Sequence, residues 1–470
     1  MTVLTTPPPS RTTPFDDLRG SIDLVVYEPG DPGYDDARAG WNQAVQHHPR
    51  AVVTPHTVRG VVHAVRFARM HGIPIAIQST GHGPTRAAKD ALLIDMSRIN
   101  RIRVYPETRT VRIGGGAKWS RVLDAVVPHG LAPLLGSTSD VSAVGYTLGG
   151  GLGWLARKYG TSADSVVAFK IVTAEGRVVR ATPEHNPDLF WALRGAGAGH
   201  LGVVVEMVIK LYPITELYAG NLFYPATMAG EVMRRWRTWI EDVPEDLTSA
   251  VTLLNLPPVD DLPPELSGAS VVVVRGAFDG PAEEGERLMT YWRDWREPLM
   301  DAFGPLPFAQ VDEISQDPVE PVPNEGTGVW LRSLGDTSIE TLIGAMFPPE
   351  GESLLVQTEI RHAGGAIARG SAVPSAFGNR DAAMLLELVG VTPLPEDVAA
   401  VRRLVAEIKC AIADDLTGGV YLNYVEGDDR RHGVREGIGS EAYERLASVK
   451  NRFDAANLFD HGLDVTAASS

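Results

Sequence analysis

Apolar positions along this chain follow two alternating rhythms, short continuous runs and spacings of three and four. AVVTP, ending at Pro55, and IPIAIQS, ending at Ser79, predict buried strands, and TVRGVVHAVRFARMHG between them has the spacing of an amphipathic helix closed by Gly72. Together they predict a β-α-β unit. The segment YDDARAGWNQAV from Tyr34 has the same helical spacing. Short strands continue through ALLIDMSRINRIRVYPETRTVRIGGG, and a helix follows that ends at Gly130. SVVAFKIVTAEGRVVRAT predicts a hairpin turning at Glu175 and Gly176, and PDLFWALR and VVVEMVIKLY add a helix and a long strand.

The pattern changes from about Leu217. Longer helical patterns, GEVMRRWRTWIEDV and PAEEGERLMTYWRDWREPLMDAF, are separated by strand-like runs such as SVVVVRGAF and SLLVQTEIRHAGGA. This predicts a second, α+β domain. Trp236, Trp239, Tyr291, Trp292 and Trp295 are spaced to pack as helix core, with a paved substrate cleft as the alternative. The proline-rich PLPFAQVDEISQDPVEPVPNEG is expected to wrap a surface or a pocket mouth. GVYLNYVEGDD and EAYERLASVKNRFDAANLFDHG are again rich in glycine and aromatics, like the first half of the chain. The implied divisions are 1–33 as a flexible N-terminal arm and entry, 34–215, 216–418, and 419–470 returning to the first domain.

Composition narrows the partners. A formal charge of −16 over 470 residues argues against nucleic acid, because phosphate binding concentrates Lys and Arg. No apolar run reaches a membrane span and no secretory signal pattern opens the chain, so a cytoplasmic location is expected. Cys410 is the single cysteine, which excludes an internal disulfide and a cysteine metal cluster; no metal site is expected. Its helical, apolar surroundings predict a buried thiol.

Two stretches carry candidate chemistry. LGSTSDVSAVGYTLGGGLGWLARKYG at 135–160 joins hydroxyl side chains to a glycine cluster, suited to main chain pressed against a flat or anionic ligand. STGHGP at 79–84 leaves backbone N–H groups free to face an anion. Gly197, Gly199 and Gly202 satisfy G-x-G-x-x-G but follow a helical run and open a strand, the reverse of the dinucleotide-binding context.

STGHGP, GSTSDVSAVGYTLGGGLGWLARKYG and DLFWALRGAGAGHLGVVVE, in that order, with YLNY and YERLASVKNRFDAANLF near the end, resemble the FAD-linked oxidases of the berberine bridge enzyme-like and 6-hydroxynicotine oxidase-like kind, within the vanillyl-alcohol oxidase superfamily. The resemblance implies an α+β fold: a two-part PCMH-type FAD-binding domain, and a substrate domain whose antiparallel sheet is covered by helices. It implies FAD joined covalently through His82, with Gln78, Ser79, Thr80, Gly81 and Gly83 cradling the pyrophosphate and Pro84, two residues after the histidine, also at the cofactor. Thr80 stands where many relatives have glycine. Thr138 stands where many carry a second, cysteine tether, so a single link is expected, with Ser137 and Thr138 hydrogen-bonding the flavin edge. Val144, Gly145, Thr147, Gly150 and Gly151 are expected along the ring or ribityl chain, Val203 and Val204 near the adenine, and Asn423 and Tyr146 near the flavin. Tyr146 replaces a common histidine, and Leu152 a tyrosine used by some relatives.

Flavin oxidation of an alcohol or amine needs a base for the heteroatom proton. Glu387, the only acid in AAMLLELVGV and seven residues after Arg380, is one candidate, with an exposed strand-end glutamate as the alternative. Tyr421 and Tyr424 are the others, or else aromatic core. Arg361 and His362 either face the substrate cleft or cap a strand. The expected activity is an FAD-dependent oxidoreductase, oxidase or dehydrogenase, taking hydride from a small-molecule alcohol, amine or natural-product intermediate of specialised metabolism, with O2 reoxidising the flavin. A flavin-binding cyclase or lyase without net redox change is the second reading.

Overall fold

The computed structural model describes residues 14–260 and 262–465. Two small sheets and one large one account for its strands. The first holds β1 (Leu24–Tyr27), β2 (Ala51–Pro55), β3 (Ile75–Gln78) and β4 (Leu92–Asp95) in the order β1-β2-β4-β3. Strands β2 and β3 each pair parallel with β4, which lies between them, while β1 pairs antiparallel with β2. The connecting helix Val58–His71 buries Val61, Ala64, Val65 and Ala68 on one face, is capped by the Thr57 side chain and stops at Gly72 in the left-handed region.

The second sheet is antiparallel: β5 (Ile102–Tyr105), β6 (Thr110–Gly114), β7 (Val166–Val172), β8 (Val178–Ala181) and β9 (Val203–Lys210), in the order β5-β6-β9-β7-β8. The expected hairpin is β7–β8.

The large sheet holds β10 (Glu216–Pro225), β11 (Leu247–Asn255), β12 (Ser270–Phe278), β13 (Met300–Asp301), β14 (Gly304–Pro307), β15 (Asn324–Leu331), β16 (Gln357–His362), β17 (Met384–Val391) and β18 (Leu416–Val420). Its two faces differ in chemistry because side chains alternate along each strand. Leu222, Val251, Val274, Val329, Ile360 and Leu386 form one face, packed with buried residues of the helices Ala229–Trp239, Ala282–Arg293, Asp336–Met346 and Pro395–Ala411. Trp236, Trp239 and Trp292 are buried in this cluster, with Tyr291 and Trp295 packed against it, so these aromatics are core and pave no cleft. The opposite face carries Asn221, Arg275, Thr252, Glu359, Arg361 and Glu387.

Several expectations need correction. The flexible arm lies partly outside the described residues. Within 14–33, however, Phe15, Leu18 and Leu24 are core residues of the first sheet, and β1 belongs to that sheet, so apolar burial overrides the polar composition there. From Tyr34 the helix is one short turn, Tyr34–Arg38. Cys410 is exposed: the helix Pro395–Ala411 buries Val401, Val405 and Ile408, and Cys410 falls off that face. Strand β18 spans the expected 418/419 division before the chain returns, and the helix Ser440–Asp454 then packs Leu446 and Val449 into the core of the second sheet. Among the described residues, no helix is long and apolar enough to cross a membrane and no group of three His, Cys, Asp or Glu side chains is placed to hold a metal.

Candidate functional site

A cavity of about 330 Å³ opens where the histidine loop 78–84, the stretch 136–148, the start of β9 and the closing segment 423–462 converge. Gln78, Ser79, Thr80, Gly81, His82, Gly83 and Pro84 all line it. So do Ser137, Thr138, Val144, Gly145, Tyr146, Val204, Asn423 and Tyr424. The geometry of the histidine loop is set from residues 39–42. Trp41 N donates to Thr80 O, Asn42 N to Gly81 O and Gln78 Nε2 to Ala39 O at 2.8–3.0 Å. Gly81 sits at φ +74°, and a Cβ there would collide with the Gly40 Cα, so only glycine serves.

His82 is tightly placed. The Trp41 indole stacks on its imidazole at 4.4 Å between centroids and 11° between planes. Nδ1 lies 2.8 Å from Thr80 Oγ1, and Nε2 lies 3.8 Å from Asp140 Oδ2. Burial lowers its pKa to about 4, with Asp140 opposing and Lys118 adding to the shift, so the ring is neutral at pH 7.

Four of the expected cofactor-binding residues stand off the cavity wall. Thr147 is fully buried, donating to Ala143 O and sharing a hydrogen bond with Ser162 Oγ. Gly150 abuts the Phe377 ring, and Gly151 fits between Tyr146 and Ser162. Val203 points away from Val204 into the core of the first sheet, as alternation along β9 requires. Gly199 and Gly202, from the G-x-G-x-x-G run, do line the cavity, and so does Ala198.

Tyr424 joins the cavity to the polar face of the large sheet, because its side chain sits over Gly328, where any Cβ would clash. Glu387 is the direct neighbour of Gly328 in the β15–β17 register and of Glu359 in the β16–β17 register. Gln357 Nε2 donates to Glu387 Oε2 at 3.4 Å. Burial first, and then Glu359, push the Glu387 carboxyl up to about 8, against the pull of Arg361. Tyr421 is buried off the cavity wall. Its OH accepts from Leu152 N at 2.9 Å and from Asn423 Nδ2 at 3.1 Å, and its ring meets Tyr424 edge-on at 4.9 Å. Burial raises both phenols, Tyr421 to about 12 and Tyr424 well above its ordinary value, so both stay protonated.

Arg361, one of the two alternatives read on its strand, and residues beyond the expected set complete the site. Arg361 Nη2 donates to Glu359 Oε1 at 2.5 Å and its Nη1 to Leu152 O at 3.1 Å, and Arg275 lies 3.4 Å from Glu359 Oε2. The sequence signal was there: Glu359 and Arg361 are two apart on one strand and must share a face. His362 points to the other side, and burial lowers it to about 3. Trp41, Arg430 and Glu426 had no comparable local signal. Arg430, from the closing segment, donates to Gly83 O at 2.5 Å. Glu426 accepts from Asn42 Nδ2 and Gly326 N at 3.1 Å, and burial with Glu325 raises it to about 8. The proline-rich segment closes this junction, with Val319 O accepting from Trp41 Nε1 at 2.9 Å.

The cavity fits a flavin nucleotide on its own terms. Ser79 Oγ, His82 Nε2 and Tyr146 OH are buried beside it with no protein partner, which is costly unless a ligand supplies one.

Residues 49–182 match the family described as FAD binding domain. The chain is 26% identical to (R)-6-hydroxynicotine oxidase of Paenarthrobacter nicotinovorans, over 96% of this chain and 98% of that one. It is 25% identical to the uncharacterized FAD-linked oxidoreductase YgaK of Bacillus subtilis, over 91% and 94%. Its fold superposes on Physcomitrella patens BBE-like 1 with a TM-score of 0.84 at 21% identity, covering 97% of this chain and 100% of that chain. Cavity, fold and similarity agree: residues 49–182 carry an FAD-binding domain, and the chain is similar over nearly its whole length to FAD-linked oxidoreductases, the (R)-6-hydroxynicotine oxidase among them, with the fold of a BBE-like protein.

Proposed function

We propose that this chain takes a hydride from a C–H bond of a small alcohol, amine or natural-product intermediate, that dioxygen is the electron acceptor, and that FAD is held by one covalent bond, through His82. The observation that carries the reading is the seat of Tyr424, which lines the cavity, over Gly328, whose register neighbour is Glu387. Bound FAD supplies the hydride acceptor. The backbone of residues 78–84 faces the pyrophosphate, Ser137 and Thr138 offer hydroxyls to the ring edge, and the absence of a thiol at Thr138 limits the tether to one.

Glu387 takes the heteroatom proton. Its raised pKa makes it a strong enough base to accept that proton and puts it near the pH at which proton exchange is cheapest. Gln357 orients the carboxylate, while Arg361, fixed by Glu359 and Leu152 O, keeps positive charge close by as Glu387 ionises. Tyr424, protonated, donates a hydrogen bond to the substrate heteroatom and Tyr421 braces it from behind.

The test has two arms. Mass analysis of the denatured wild-type chain should show an FAD-sized increment that His82→Ala lacks. A panel of alcohols and amines mixed anaerobically with the yellow protein should contain a compound that bleaches the flavin, with colour and hydrogen peroxide returning on admission of air. Turnover with the flavin oxidised throughout would overturn the redox reading in favour of a cyclase or lyase, and a protein that takes up no FAD would overturn the whole proposal.

A further inference from the structure

We propose that the outer face of the second sheet is a docking surface for an acidic surface of another protein.

Strands β5 to β9 turn Val111, Ile113, Phe169, Ile171, Met207 and Ile209 into the core, so the residues between them point outward. Those outward positions carry Arg103, Arg112, Lys170, Arg180 and Lys210, with Glu206 the one carboxylate among the described residues of that face. Arg103, Arg112, Arg180 and Lys210 are exposed, and the Lys170 side chain keeps 40% of its surface.

The cations are paired with one another. Arg103 stands directly opposite Arg112 in the β5–β6 register, and Lys170 directly opposite Arg180 in the β7–β8 register. Like charges in directly opposed positions destabilise a sheet. Glu206 relieves this only in part, lying 3.6 Å from Arg112 and 3.5 Å from Lys170. Solubility alone calls for mixed signs, which a solvated face supplies without that penalty. Tyr105 adds an anchor between the guanidiniums, its ring centre 5.1 Å from that of Arg103 and 5.8 Å from that of Arg112. Tyrosine and arginine are the residue types that carry most binding energy at protein interfaces.

The distribution of charge along the chain selects the partner. Residues 1–215 hold 23 Lys and Arg against 17 Asp and Glu, whereas residues 216–470 hold 20 against 42. Five strands spaced about 4.8 Å apart make a face about 19 Å wide. A DNA duplex or a membrane extends well past that width and meets the acidic remainder of the chain, which repels it; a compact acidic patch on a protein does not. A second copy of this chain offers acidic surface, but a basic face set on an acidic one is a head-to-tail contact that leaves both complements free and grows without closing. The planar guanidiniums of Arg103, Arg112 and Arg180 match carboxylates two hydrogen bonds at a time. A face of this size belongs to the small, transient class of interface, made and broken through charge.

The test is fluorescence anisotropy of a labelled oligoglutamate peptide titrated with the FAD-loaded full chain. Binding should weaken about tenfold between 50 and 200 mM salt. The double reversal Arg103→Glu/Arg112→Glu should weaken it about tenfold or more at the lower salt, because it sets like charges against the peptide. Arg296→Glu, at an exposed arginine beyond residue 215, should change it less than about twofold. Arg103→Glu alone puts opposite charges across the β5–β6 pair and should melt about 1 °C above the wild type, which separates lost docking from lost fold. No binding at low salt, or binding that the double reversal leaves unchanged, overturns the docking surface. A melting temperature lowered by Arg103→Glu overturns the reading of Arg103 and Arg112 as an unfavourable pair kept for a partner. A short DNA duplex or vesicles of phosphatidylserine bound more tightly than the peptide assign the face to a polyanion or a lipid surface. Concentration-dependent growth in sedimentation velocity that the double reversal abolishes assigns it to a second copy; each of these two results overturns the acidic protein partner.

Discussion

Glu359 and Glu387 stand directly opposite each other on β16 and β17, yet one is held charged and the other neutral. Burial raises Glu359, but Arg361 and Arg275 outweigh it and bring the net value down; Glu387, without a guanidinium of its own, is raised to about 8. Burial, and after it a like-charged neighbour, thus tune the proposed base. Glu387→Gln keeps the volume and removes the base, and kcat should fall by about 10² to 10⁴-fold with little change in flavin absorbance.

The pH profile follows from the same pair. Glu387 accepts a proton only when ionised, so kcat/KM should rise with pH through about 8 and level off above it. In Glu359→Gln the opposing carboxylate is gone and the limb should move to lower pH. A profile unchanged by that substitution would count against Glu387 as the titrating group.

Removing one partner from the Glu359 cluster should cost more than removing a surface pair. Glu359→Leu leaves Arg361 and Arg275, each under 5% exposed, without their carboxylate. A loss of about 3–5 kcal/mol is expected, read as a lowered urea midpoint. By contrast, Arg369→Ala, at the exposed pair with Glu245, should shift the midpoint hardly at all.

Glu426 should make stability fall as pH rises. Its folded value of about 8 exceeds the ordinary 4.5, so the native protein holds a proton that the unfolded chain has already released. Its stabilising contribution is complete below pH 4.5 and is lost on the way to pH 8. Glu426→Gln should flatten that part of a melting-temperature profile.

Gly328→Ala places a methyl group where the Tyr424 Cβ lies. The tyrosine must move off the strand, so kcat/KM should fall while flavin content, counted per chain by absorbance, is kept.

Much of this was legible in sequence wherever a local pattern was enough. The histidine loop, the stretch around Ser137 to Tyr146 and the strand at β17 were each readable from glycine content or apolar runs; the first two line the cavity and the third is a strand of the large sheet. Thr147, Gly150, Gly151 and Val203 show the limit. They belong to the right segments, but about half the residues of any helical turn or strand face away from a ligand, and periodicity without a known face does not say which. Cys410 illustrates the same point, since one position off the buried stripe turns a core residue into an exposed one. Trp41 and Arg430 were invisible for another reason: their roles depend on contacts to Thr80, His82 and Gly83, which lie far away along the chain.

Arg430 on Gly83 and Ile75 N on Leu458 O bring together residues far apart along the chain. On the ribosome, then, the histidine loop is exposed long before its cover exists. At about 5–20 residues per second, roughly 350 residues correspond to tens of seconds between synthesis of the loop and of its arginine clamp. The loop therefore gains its arginine clamp only once residue 430 has emerged, and a chain cut before that residue would lack this cover.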